Sequence, residues 1–160
     1  MATSETQAHL PAVGRHAREE AGHLLQLTTV ELIALALMGK QLHWNITGHG
    51  FREVHLHLDE VVDEWRELSD VVAERAVALG VAPDGRAPAV VEQSELDPVN
   101  GGFVAVPMAI RELTERLAAV DERVRARSER LGEIDLPSQD VLIEVTRTLE
   151  KQLWMLRAQL

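Results

Sequence analysis

Apolar residues recur along most of this chain at intervals of three or four, the repeat of an amphipathic α-helix. The segment 51–79 shows this repeat at Phe51, Val54, Leu58, Val61, Trp65, Leu68, Val72 and Leu79. Glycine and proline gather in short clusters, and the long intervals between them are rich in alanine, leucine, glutamate and arginine, which are strong helix formers. The pattern therefore predicts four long helices and one short helix, at 14–46, 51–79, 103–131, 138–160 and, for the short one, 91–97.

The connections between the predicted helices determine how they pack. Residues 47–50 are too few to do more than reverse the chain, so the first two helices are antiparallel neighbours, and 132–137 joins the last two in the same way. The much longer segment 80–102 crosses from one pair to the other and carries the short helix. One long crossover is the ferritin-like arrangement, so we predict an all-α, ferritin-like four-helix bundle.

The two ends of the bundle complete this fold prediction. Residues 1–13 precede the first helix and are predicted to form a flexible N-terminal segment, which leaves 14–160 as a single domain. Ser138 is predicted to cap the last helix, with Asp140 in its first turn, where the helix dipole favours an anion.

The composition excludes several kinds of chemistry. The chain has no cysteine, which rules out disulfides, thiolate zinc sites, iron–sulfur clusters and cysteine nucleophiles. Its 26 acidic and 16 basic residues give a net charge of −10, which disfavours nucleic acid and anionic lipid as partners and favours metal cations. No apolar run approaches the roughly 20 residues of a membrane span, and the polar start of the chain is unlike a signal peptide. We therefore expect a cytoplasmic protein with no membrane partner.

Four ionisable residues of the segment 51–79 share one helix face that points away from the predicted core. They form two pairs at the spacing of one helical turn, His55 with Asp59 and Asp70 with Glu74. The same face also carries apolar residues, which is unusual for a surface in open solvent and favours cover by another protein chain. These residues are Leu56, Val62, Ala73 and Val77.

The spacing of the two pairs requires two copies of the chain if they bind metal. Asp59 and Asp70 lie about 16 Å apart along a helix, which is too far for one metal centre. If the helix packs antiparallel against its counterpart across a two-fold axis near Glu64–Trp65, each pair faces the other pair of the second copy. His43 lies opposite His55 in the hairpin of the first two helices and adds a ligand. Imidazole and carboxylate ligands without sulfur suit Fe(II), and also zinc or manganese.

The residues around these histidines resemble a known family. The stretch Lys40–Glu60, with its His43-Trp44-Asn45 sequence, Gly48, His55 and Asp59, resembles the signature of the Dps family, the DNA-binding proteins from starved cells. The segments 70–80 and 149–160 are similar to later parts of the same family, and the resemblance covers 24–160.

The resemblance implies a function as well as a fold. It implies a shell of twelve ferritin-like subunits that oxidises Fe(II), preferably with hydrogen peroxide, stores ferric mineral inside and so protects DNA from oxidative damage. It implies ferroxidase sites made by His43, His55 and Asp59 of one subunit and by Asp70 and Glu74 of another. Trp44 matches a tryptophan that intercepts stray oxidising equivalents beside the site. The cofactor implied is iron, and the location is the cytoplasm, including the nucleoid.

The chain departs from the family in its lack of a basic tail. Residues 1–23 contain two arginines and three glutamates, and Lys40 and Lys151 are the only lysines of the whole chain. We therefore predict weak or absent direct DNA binding. Two alternatives stay open at this point: a nucleoid-compacting protein with incidental iron binding, and a metal-free bundle whose His55/Asp59 and Asp70/Glu74 pairs are interfacial salt bridges. The second is disfavoured because burying so many carboxylates without a cation is costly.

Further residues carry weaker functional hypotheses. Asp140 matches the acidic iron-entry pore that the resemblance implies near the start of the last helix, although an interaction with the helix N-terminus explains it equally well. Looser pore candidates are Glu133 and Asp135, and one acidic pore position of the family falls on Leu136. Accessory metal sites are conceivable at His9, His16, His23 and His49, for which a solvated role is the better explanation. Methionines are interpreted as core residues, so no haem is expected.

Overall fold

The structure of the chain is a computed structural model that describes residues 10–160. Its elements are α1 (Arg15–Asn45), β1 (Ile46–Thr47), α2 (Phe51–Ala78), α3 (Ala87–Gln93), β2 (Val104–Ala105), α4 (Val106–Gly132) and α5 (Leu136–Arg157). Helix α1 packs along α2, and α4 packs along α5. The long connection between α2 and α4 carries α3 against α1. The predicted all-α, ferritin-like bundle with one long crossover is therefore confirmed.

The crossover differs from the prediction at three helix boundaries. The short helix is Ala87–Gln93 and not 91–97, because Pro88 favours a helix start and the chain is extended again at Ser94. The next helix begins at Val106 and not at 103. Residues 104–105 are extended instead, because they pair in parallel with Ile46–Thr47 and so join the end of α1 to the start of α4.

The cap of α5 also differs from the prediction. Asp135, and not Ser138, is the N-cap residue, and its carboxylate accepts a hydrogen bond from the Ser138 N–H at 3.1 Å. Ser138 lies in the first turn of the helix, where its hydroxyl donates to Asp135 and accepts from Nε of Arg75 at 2.9 Å. Arg75 also donates to Asp135 at 2.6 Å, so a residue of α2 decides which side chain caps α5.

Close packing of α1 on α2 depends on Gly39. A Cβ at this position would lie 2.5 Å from Cγ2 of Val62 and 2.8 Å from Cζ3 of Trp65. Val62 and Trp65 are both fully buried. The prediction that Val62 lies on the helix face pointing away from the core is therefore wrong. Val62 packs against α1 of its own chain.

Helix α1 is more apolar than the sequence prediction allowed. It contains a stretch long and apolar enough to cross a membrane by length and composition, although 61% of that stretch is buried inside the bundle. Burial of most of this apolar stretch is expected for a helix in the core of a bundle. Glu31, in the middle of α1, is also fully buried and accepts hydrogen bonds from Arg123 and Arg127 of α4. This ion pairing compensates the charge that α1 carries into the core.

The predicted N-terminal segment falls mostly outside the described residues. Within the described part, Leu10 contacts Gly80, and Arg18 donates a hydrogen bond to the Val13 carbonyl at 2.8 Å. The extent of the segment stays a prediction.

Candidate metal centre

The hairpin of α1 and α2 brings His43 and His55 into contact. Gly48 and Gly50 have φ angles of 105° and 78°, a backbone conformation that glycine adopts without strain, and they reverse the chain between the two helices. The imidazole rings of His43 and His55 then stack, with centroids 3.6 Å apart and planes 19° from parallel. His43 is buried, whereas His55 is half-buried.

Each histidine is held by the main chain of the other. Nδ1 of His43 lies 2.9 Å from the carbonyl oxygen of His55, and Nδ1 of His55 lies 2.9 Å from the carbonyl oxygen of His43. A carbonyl oxygen only accepts hydrogen bonds, so both Nδ1 atoms carry the proton and donate. In neutral imidazole this leaves the lone pair on Nε2. A histidine whose other ring nitrogen is fixed by a carbonyl is oriented as metal-binding histidines are.

Asp59 supplies a carboxylate beside the stacked rings. Its Oδ1 lies 3.3 Å from Nδ1 of His43 and also accepts a hydrogen bond from Nζ of Lys40. The hydrogen bond from Lys40 is the main reason that the pKa of Asp59 lies below its ordinary value. The site therefore holds an ionised carboxylate whose charge is offset by an ammonium group.

Lys40 and Phe51 also belong to this site, although the sequence pattern does not identify either of them as a site residue. Phe51 also stacks on His55, with ring centroids 5.0 Å apart, so two rings contact the His55 imidazole. Helical spacing was the available signal. Phe51 lies one turn before His55, and Lys40 lies one turn before His43.

Asp70 and Glu74 lie farther along α2 and outside this cluster. Both are exposed, and neither has a hydrogen bond or ion pair within residues 10–160. Across that range, no three His, Asp or Glu side chains are grouped so that they could hold a metal ion. One chain therefore presents the predicted ligands as two separate sets.

The helix face that carries both sets also has exposed apolar side chains, one near each set. Leu56 is 42% exposed and Val77 is 58% exposed, and Trp44, next to His43, is 67% exposed. Large apolar side chains exposed beside both ligand sets favour a surface that another protein chain covers.

The candidate pore residues differ in their surroundings. Asp140 and Leu136 are exposed, and Glu133 is exposed and pairs with Arg130 at 2.5 Å. The side chain of Asp135 is only 5% exposed and serves as the helix cap and as the partner of Arg75. A pore role for Asp135 does not fit this burial.

The remaining histidines do not extend the cluster. His16, His23 and His49 are exposed and are not part of any three-donor group in the described chain, and His9 lies outside it. His57 points away from the site, as expected from the helix spacing. It borders a small apolar cavity beneath α4 that Leu42, Val54 and Ile110 also line.

Comparison with known proteins decides the family. The ferritin-like domain matches residues 22–160. DNA protection during starvation protein 2 of Deinococcus radiodurans is 34% identical over 149 residues, which are 93% of this chain, although the chain spans only 62% of that protein. The DNA protection during starvation protein of Mycolicibacterium smegmatis is 32% identical over 155 residues, covering 97% of this chain and 85% of that protein. This chain belongs to the Dps family.

The Dps fold extends over almost all of the described chain. The structure of Dps from Microbacterium arborescens in the high iron form superimposes with a TM-score of 0.88 at 34% identity. The match covers 94% of this chain and 97% of the other. The fold of this Dps chain therefore matches that of the relative over nearly the whole solved chain.

Proposed function

We propose that this Dps-family chain oxidises Fe(II), stores the ferric product inside a shell of twelve subunits in the cytoplasm, and thereby protects DNA from oxidative damage. The observation that carries the proposal is the reciprocal hydrogen bonding of His43 and His55, which orients both imidazole rings, together with the Asp59 carboxylate 3.3 Å from Nδ1 of His43. Relatives named for DNA protection during starvation and a Dps relative described in a high iron form support it.

The proposed site needs a second copy of the chain. Asp59 and Asp70 are about 16 Å apart on α2 by helical rise, so one metal centre cannot use both from one chain. In an antiparallel pair of α2 helices, the exposed Asp70 and Glu74 of one copy reach the His43, His55 and Asp59 cluster of the other. The two-fold symmetry then creates two identical sites per dimer. The exposed Leu56 and Val77 would be buried in the same contact.

The reaction proposed at this site is a two-electron reduction of peroxide. Two Fe(II) ions lose one electron each, and one hydrogen peroxide takes up both electrons with two protons and becomes two water molecules. Imidazole nitrogens bind Fe(II), and the carboxylates stabilise the higher charge of Fe(III). We propose that Trp44 takes up stray oxidising equivalents beside the site, and that Asp140 and Glu133 line the route by which Fe(II) enters.

Iron oxidation tests the activity directly. Fe(II) is added anaerobically to the assembled protein, peroxide follows, and the absorbance of the ferric product is recorded. We expect rapid oxidation that falls to the buffer rate in His43→Ala and in Asp70→Ala. Asp63→Ala is the matched control, because Asp63 is an exposed carboxylate of α2 outside the proposed site. Oxidation by the wild-type protein at the buffer rate would contradict the proposal.

Mixing two inactive variants tests whether the site is shared. One variant is His43→Ala/His55→Ala and the other is Asp70→Ala/Glu74→Ala. In a mixed dimer, the intact histidines of the second variant face the intact carboxylates of the first, so one of the two sites is complete. About half of the dimers formed by random reassembly of equal amounts are mixed, and each has one complete site of two. The mixture should therefore recover about a quarter of the wild-type activity. A site built within one chain predicts no recovery.

A further inference from the structure

A buried tryptophan of α2 packs on α1 next to Lys40, a residue of the proposed iron site. Trp65 of α2 is fully buried, and its ring packs against the backbone of Gly39, with Cζ3 2.8 Å from where a Cβ of Gly39 would be. The next residue, Lys40, donates a hydrogen bond to Asp59. The indole is therefore connected to the site through its contact with Gly39 and through the side chain of the following residue, Lys40.

The indole N–H is linked to a carboxylate through one amide. Nε1 of Trp65 donates to Oε1 of Gln152 on α5 at 2.8 Å, and Nε2 of Gln152 donates to Oε2 of Glu64. Gln152 is 2% exposed, whereas Glu64 is half-buried. A buried indole needs one acceptor, and Gln152 alone supplies it. The continuation to Glu64 places a negative charge close to the ring, which packing does not require.

We propose that Trp65 is a redox-active residue that loses an electron to oxidants formed at the site, and that Glu64 stabilises the indole cation through Gln152. A negative charge several ångströms from a buried cation stabilises it strongly, because the interior screens charges less than water does. Hydrogen bonds in a chain also polarise one another, which strengthens the bond from the indole to Gln152.

The electron balance of the step is simple. When a single Fe(II) ion reduces a peroxide molecule, it becomes Fe(III), and the peroxide splits into hydroxide and a hydroxyl radical. That radical takes one electron from Trp65 and becomes a second hydroxide. The indole remains as a radical cation with its N–H bond intact. An Fe(II) ion then returns one electron to the indole and becomes Fe(III). The net change is that Fe(II) and hydroxyl radical become Fe(III) and hydroxide, and Trp65 is restored. This role rests on the proposed iron oxidation as the source of the oxidant, and it adds an electron donor inside the bundle to the exposed Trp44.

Flash photo-oxidation tests the role of Glu64 without iron. The chain has three tryptophans, so the assembled Trp44→Phe/Trp154→Phe protein contains Trp65 as its only indole. A photo-excited ruthenium complex with an electron-accepting quencher supplies the oxidant, and the absorption of the indole radical cation is recorded. In this background Glu64→Gln should lower the radical yield about tenfold, because it removes one nearby charge and keeps a hydrogen-bonding side chain.

The control separates this effect from a change in total charge. Glu60→Gln removes an exposed carboxylate one turn away on the same helix and should leave the yield unchanged. Trp65→Phe identifies the signal by abolishing it. Equal yields with and without the Glu64 carboxylate, or no indole radical at all, would overturn the proposal.

Iron and peroxide then test the role in the reaction itself. Samples frozen during turnover should show an indole radical by electron paramagnetic resonance, and Glu64→Gln should diminish the signal. Normal iron oxidation with no radical at Trp65 would overturn the proposal and leave the proposed function standing. If the protein does not oxidise iron but the flash experiment shows the effect of Glu64, the proposed function fails while the redox chemistry of Trp65 is supported.

Discussion

At the scale of single residues, the orientation of His55 is set from three directions. The rings of His43 and Phe51 both stack with the His55 ring, and Nδ1 donates to the His43 carbonyl. The ring therefore has little freedom to turn about its bond to Cβ. Fixing a ligand before the metal arrives reduces the entropy that binding must overcome.

Phe51 should matter for metal affinity without touching the metal. Phe51→Leu keeps an apolar side chain at the start of α2 but removes the ring that stacks on His55. We expect affinity for Co(II), followed by its visible absorption spectrum, to fall about tenfold, at the lower end of the effect of groups that orient metal ligands. Phe103→Leu is the matched control, because Phe103 is 84% exposed and lies in the crossover. An unchanged spectrum and affinity in Phe51→Leu would show that the stack has no positioning role.

Pairwise residue geometry could be predicted from sequence only where the spacing is regular. The sequence predicts His43 opposite His55, because the numbers of facing residues in an antiparallel hairpin add up to the same value. The buried Glu31 could not be foreseen, since its partners Arg123 and Arg127 lie more than 90 positions away, on α4. Side-chain pairing between distant helices has no periodic signal in the sequence.

At the scale of elements, the helices were predictable but some of their ends were not. Apolar repeats and clusters of glycine and proline place the four long helices, because these signals are local. The start of α4 depends on the pairing of Ile46–Thr47 with Val104–Ala105, which joins segments 58 positions apart. The cap of α5 depends on Arg75 of α2 in the same way. Element ends set by distant partners lie beyond local sequence reasoning.

The cap of α5 leads to a prediction about stability and pH. Burial alone would raise the pKa of Asp135, but hydrogen bonds from Ser138 and Arg75 together lower it. Asp135→Asn leaves Arg75 without its ionic partner and should cost about 3 kcal/mol of unfolding free energy at pH 7. Because folding lowers this pKa, the stabilisation is complete above the unfolded value, about 3.9, and is lost as the pH falls through the folded value.

Denaturant unfolding followed by circular dichroism checks this dependence. The difference in unfolding free energy between wild type and Asp135→Asn should shrink when the pH is lowered from 7 to 3. Asp63→Asn is the control, because Asp63 and its partner Arg66 are both mostly exposed, and exposed ion pairs contribute little. A difference that is the same at both pH values would show that the ionic form of Asp135 does not stabilise the helix junction.

At the scale of the whole molecule, the proposed chemistry is a property of the assembly. One chain contains both ligand sets, but helical rise keeps them about 16 Å apart. The exposed Leu56 and Val77 lie on the same helix face as the sets, one near each, so burying them and completing the site would be the same event. The need for a second copy is inferred from sequence spacing and stays a prediction. The number of copies in the shell rests on the resemblance to the family and on no spacing within the chain.

The net charge leads to the last prediction, which concerns DNA. Each chain carries a net charge of −10, has only two lysines and has no basic cluster in residues 1–23, so an assembly of many copies repels the phosphate backbone. We expect no retardation of supercoiled DNA in a low-salt agarose gel, even with protein in excess. A variant with a lysine-rich segment added before residue 1 is the positive control and should retard DNA at low salt but not at high salt. Retardation by the unmodified protein at modest excess would contradict the prediction. That result would favour a nucleoid-compacting role over protection of DNA by iron oxidation alone.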